Sequence, residues 1–161
     1  MCLEINHKLH QLLRIPIPTL GNHEEDIELH GNTRYYRPII AEEDLKVYKI
    51  LKKPMFGITK TPIMKKVLWF RRGMIQQKSK LGLGYFPLCR YVNEGIHSFV
   101  SSTPKITHGE ETFIAVIPKG SKLYIGRNGD AVSTELIVFR NDSVYNEYCK
   151  THNVKDIWNY L

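Results

Sequence analysis

The sequence predicts an α+β fold: one mostly antiparallel β-sheet, with a short N-terminal helix and helices at the C-terminal end. Three observations carry that prediction. From residue 44 onward, short β-branched and aromatic runs recur between glycines and prolines. Asn128-Gly129 separates two apolar runs and supplies the positive φ angles of a tight hairpin. Helical spacing of apolar side chains is confined to the two ends of the chain. The 161 residues, 42% apolar and 24% charged, suit one ordinary globular domain.

Leu3, Ile5, Leu9, Leu12 and Leu13 fall near helical spacing, so residues 3–14 are expected to form a short amphipathic helix, stopped by Pro16 and Pro18. Residues 19–40 read as an acidic arm. The division predicted is therefore an N-terminal helix and arm over 1–43 and an α+β domain over 44–161. Leu45–Leu51 is apolar and β-branched enough for a buried strand, and Ile63–Phe70 for a second that turns near Gly73. Gly82 and Gly84 suggest a mobile loop anchored by Tyr85-Phe86-Pro87.

Gly95–Val100 reads as a strand with Ile96, Ser98 and Val100 on one face and His97 and Phe99 on the other. Thr112–Ile117 is a strand closed by Pro118. Lys122–Ile125 and Ala131–Phe139 flank the Asn-Gly turn as a hairpin. Asn141 or Asp142 caps a helix with Val144, Tyr145, Tyr148 and Cys149 on one face. A last turn through Ile157, Trp158 and Leu161 is expected to dock on the sheet.

Charge is distributed unevenly. The formal net charge is +7. Residues 1–45 balance at −4 and residues 91–161 at −1, whereas residues 46–90 hold twelve lysines and arginines and no carboxylate. A block of one sign attracts phosphates, but it also pairs with carboxylates folded beside it, and Glu24–Glu28 and Glu42-Glu43-Asp44 are the nearest in sequence. Within the block, Lys52, Lys53, Lys60, Lys65, Lys66, Arg71, Arg72, Lys78 and Lys80 are the expected phosphate contacts. Trp69, Phe70, Tyr85 and Phe86 are interleaved with them. Each of these rings serves either as core or as a platform for an unpaired base.

Other chemistries find little support. Cys2, Cys89 and Cys149 are odd in number and form no Cys-x-x-Cys pair, which predicts free thiols in a reducing, cytoplasmic setting. No apolar run approaches the ~20 residues of a spanning helix, and Met1–Ile5 lacks the basic cap of a secretory leader. Gly82-Leu83-Gly84 is too short for a dinucleotide fingerprint, and Lys119-Gly120-Ser121 reads as a turn. His7 with His10, and His23 with His30, lack a complete ligand set, so no metal is expected and no cofactor. His97 reads as a satisfied interior histidine.

Gly95-Ile96-His97-Ser98-Phe99, Ile117-Pro118-Lys119-Gly120-Ser121 and the hairpin closing at Val132-Ser133 together resemble small proteins of tailed phages and gut bacteria. The likeness spans roughly residues 45–139 and implies an accessory role without known chemistry. Phe99-Val100-Ser101-Ser102-Thr103 and Glu135 more loosely resemble the ADP-ribosyltransferase fold. That likeness implies NAD or ADP-ribose binding, with Glu135 as the late glutamate. Two departures weigh against activity: Lys46, Tyr48 and Lys49 stand where the early strand carries Arg or His, and Ser133 stands two residues before Glu135. The reading that results is a non-enzymatic module binding nucleic acid or an acidic host protein, with no catalytic residue.

Overall fold

The computed structural model describes residues 3–5, 38–52, 59–60, 67–83, 91–101, 110–126 and 128–157. In chain order the first strands are β1 (Leu3–Glu4), β2 (Ile39–Ile40), β3 (Asp44–Lys52), β4 (Thr59–Lys60), β5 (Val67–Leu68), β6 (Met74–Lys78) and β7 (Gly82–Leu83). They are followed by β8 (Tyr91–Glu94), β9 (Ile96–Phe99), β10 (Glu110–Ile117), β11 (Lys122–Ile125), β12 (Asp130–Ser133) and β13 (Glu135–Phe139). Helix α1 (Asp142–Cys149) and β14 (Val154–Asp156) complete the described chain. The protein is thus mostly antiparallel sheet, with a single helix near the C-terminal end among the described residues.

The main sheet runs β2-β11-β12-β9-β3-β10-β13-β6. Its axis is β3, paired along nearly its whole length with β10, from Lys52 opposite Glu110 to Leu45 opposite Ile117. The other edge of β3 is shared by three strands. β14 runs parallel along Asp44–Lys46, β9 meets it at Tyr48, and β4 at Lys52. Alternation puts Leu45, Val47 and Leu51 inward, each fully buried.

Ile39 at one edge of this sheet and Ile75 at the other belong to one apolar cluster, together with Val47, Ala115, Ile125, Leu136 and Val138. Both edges therefore face the same interior, and the sheet must curl around it. The outer faces are covered separately. A small sheet, β1-β8-β7, lays Leu3, Ile5 and Val92 over Tyr124 and Val132. Helix α1 lays Tyr145 and Tyr148 over Phe139, with ring centroids at 5.4 and 5.1 Å. Asn141 caps the helix, its side chain accepting from the Val144 N–H at 3.0 Å. Val144, Tyr145, Tyr148 and Cys149 are its half-buried face, as expected.

Several sequence expectations need correcting. Leu3 and Glu4 form a strand, and Ile5 bridges Gly126, so the expected helix over 3–14 does not begin there. Leu3 and Ile5 lie two apart and are both 1% exposed, the period of a strand; residues 6–14 lie outside the described residues. Gly82 belongs to β7, in a bulged pairing with β8, and not to a loop. Ala131–Phe139 is two strands. The chain bends at Thr134, where the Thr134 N–H reaches Lys122 O at 2.9 Å, and β13 leaves the hairpin to pair with β10 and β6.

At the C-terminal end, α1 is followed by β14, which pairs with β3, and the backbone is helical again at Ile157. Ile157 is fully buried in the core, while Trp158 and Leu161 lie outside the described residues. Of the expected strand over 63–70, Val67–Leu68 pairs with β4, while residues 63–66 lie outside the described residues.

Candidate nucleic-acid interface

Among the described residues, the cations of the carboxylate-free block do not all face solvent. Lys46 places its ammonium over the rings of Tyr48 and Tyr145, 5.6 and 5.4 Å from their centroids. Lys49 takes an inward position of β3 and is 7% exposed, its ammonium donating to the backbone oxygen of His97. Burial pulls its pKa down from 10.5 to about 8. Lys78 pairs with Glu135 at 3.5 Å. Lys52 lies opposite Glu110 across the β3–β10 ladder. The carboxylates beside the block thus come from β10 and β13. In the segment expected to supply them, Glu43 instead pairs with Lys155 at 2.8 Å. Asp44 accepts from the Lys119 N–H at 2.7 Å and from the Tyr148 hydroxyl at 3.1 Å. Glu24–Glu28 lies outside the described residues.

Among the described residues, exposed groups of the block lie just beyond β5. Phe70 turns inward against the core, its ring 5.5 Å from that of Phe113. Its neighbours Trp69 and Arg71 turn outward, and Trp69 is 62% exposed. An indole leaving that much apolar surface in water contributes little to the core, so the structure excludes core packing as its role. Arg71 and Arg72 are exposed and form no ion pair among the described residues. Nearby, Lys60 of β4 pairs with both Lys52 and Val67, so these three backbone positions lie side by side at one end of the sheet, two residues from Trp69.

The structure therefore places the backbone of Lys52 and Lys60 side by side, and leaves Trp69, Arg71 and Arg72 exposed in the segment that follows β5. Lys78 and Lys80 lie at the other end of β6, roughly 14 Å from Met74 at strand rise. Lys53, Lys65, Lys66, Tyr85 and Phe86 lie outside the described residues. Sequence reasoning missed the inward turn of Lys49 and the capture of Lys46 between two tyrosines, because they depend on the His97 carbonyl and on Tyr145, both distant in the chain.

Two other expected features are resolved. His97 lies on the outer face of β9, with Nε2 3.1 Å from Asp130 Oδ2 and its ring edge-on to Phe99 at 4.7 Å. It is a satisfied histidine. Ser101 follows the end of β9 that pairs with Asp130, whereas Glu135 follows Ser133, which pairs with Ile96 at the opposite end. Ser102 and Thr103 lie outside the described residues. Among the described residues no three His, Cys, Asp or Glu side chains converge as for a metal. Cys149 is a free thiol, while Cys2, Cys89, His7, His10, His23 and His30 lie outside the described residues. No helix among the described residues is long and apolar enough to cross a membrane.

Comparison with protein-family models, with curated proteins and with solved structures finds no match to this chain.

Proposed function

We propose that the protein is a non-enzymatic module that binds single-stranded nucleic acid through the segment after β5 that carries Trp69, Arg71 and Arg72, with Lys52 as a further phosphate contact. The observation that carries this reading is the exposed indole of Trp69 beside two arginines without acidic partners among the described residues. A base can stack on an indole only when it is unpaired, and guanidinium groups bind the phosphates that flank it. An accessory role of the phage type, in the cytoplasm of a host cell, belongs to the same proposal.

The test is fluorescence anisotropy of a labelled oligothymidine strand titrated with the parent chain and with the Arg71→Glu, Arg72→Glu double variant. The parent is expected to bind at low salt, and the variant to bind at least tenfold more weakly. Equal affinity of the two chains, or no binding by the parent near 50 mM salt, refutes the proposal. Capture of an acidic protein in place of the strand points to the other partner class.

A further inference from the structure

Arg72 has φ +54° and is the one non-glycine residue with positive φ among those described, and Gly73 follows at +79°. The Arg71 N–H donates to Met74 O at 2.9 Å and the Met74 N–H to Arg71 O at 3.1 Å. Two successive left-handed residues closed in this way form a type I′ turn, whose first central position favours Asn, Asp or Gly. A side chain there brings Cβ close to the following carbonyl, so arginine is an unfavourable occupant.

The turn is held in this geometry from two sides. Gly73 O accepts the Arg140 N–H at 2.8 Å. Gly73 lies so close to helix α1 that a Cβ on it would come within 2.7 Å of Val144 Cγ2. Nothing visible in the fold repays the arginine: its guanidinium is exposed, and it makes no hydrogen bond or ion pair among the described residues. Strain held rigidly at an exposed charged residue is characteristic of a binding site.

We infer that Arg72 is a ligand-gripping residue, held at the apex of a rigid turn to contact the phosphate next to the base stacked on Trp69. This rests on the single-strand reading above. It also predicts that stability and binding at this position move in opposite directions.

The experiment measures melting temperature and oligothymidine affinity for the parent, Arg72→Asn and Lys122→Ala, the last removing an exposed charge from β11. Asn tolerates the left-handed region, so Arg72→Asn should melt several degrees higher, bind roughly tenfold more weakly and flatten the salt dependence by about 0.7. Lys122→Ala should bind like the parent. Affinity of Arg72→Asn equal to that of Lys122→Ala overturns the inference while leaving parent binding, and the reading beneath it, intact. A lower melting temperature for Arg72→Asn also overturns it, because arginine would then be stabilising the turn. Absence of binding by the parent removes both.

Discussion

Lys49 makes the stability of this protein depend on pH in a way its sequence composition does not indicate. The side chain shares its face of β3 with Val47 and Leu51 and lies opposite Phe113. The folded protein releases the Lys49 proton near pH 8, and the unfolded chain holds it until about 10.5. Between those values the unfolded state binds more protons, so the contribution of this group to stability rises with pH. Integrated from pH 7 to pH 10, the gain is about 2–3 kcal/mol.

Other groups titrate over the same range. Burial pushes the Tyr124, Tyr145 and Tyr148 hydroxyls up, so the folded state resists their ionisation and loses stability as pH rises past the unfolded value near 10. Comparison with Lys49→Met, which keeps length and apolarity, cancels them. Urea unfolding of both proteins at pH 7 and pH 10 should show the parent gaining about 2–3 kcal/mol on the variant over that interval. A difference that stays constant within about 0.5 kcal/mol would refute a buried, charge-disfavouring site for Lys49.

Three further outcomes follow from the packing and from the interface. Trp69→Ala should lower stability by about 1 kcal/mol or less, against about 3–5 for a core tryptophan, yet weaken single-strand binding by about 1–3 kcal/mol; the melting and binding curves of this one variant measure both. Gly95→Ala should destabilise by about 2–3 kcal/mol in urea. Its φ is +146°, and a Cβ there would lie 2.2 Å from Val132 Cγ1; a loss under ~1 kcal/mol would mean that the β8–β9 corner can shift. Asn141→Ala should cost about 1 kcal/mol by removing the cap on the Val144 N–H, and Asn141→Asp should retain most of it.

The parts of the fold legible in the sequence are those set by local pattern. Leu45–Leu51 is continuous enough to require a buried strand. Ile96, Ser98 and Val100 alternate cleanly with His97 and Phe99. The spacing of Val144, Tyr145, Tyr148 and Cys149 leaves one face for α1. What was not legible depends on partners distant in the chain. Leu3 and Ile5 fit either period until Leu3 meets Val92. No glycine or proline marks the bend at Thr134, which comes from the pairing of β13 with β6 and β10. β14 carries only one apolar residue and is ordered by the edge of β3.

The candidate site was half legible. The missing carboxylates marked the block, but the sequence could not separate the lysines used by the fold, Lys46, Lys49 and Lys78, from the arginines left in solvent. Gly73 marked a turn, while the left-handed backbone at Arg72 became visible only in the structure.

The most direct test of the central claim is a salt titration of affinity for an oligothymidine strand. Three or four phosphates met by Lys52, Arg71, Arg72 and a neighbouring lysine, at ~0.7 each, give a slope of log affinity against log salt of about −2 to −3. A slope near that value, moved toward zero by Arg71→Glu with Arg72→Glu, is the result the account predicts. Affinity indifferent to salt, or a steep slope that the two reversals leave unchanged, would contradict it.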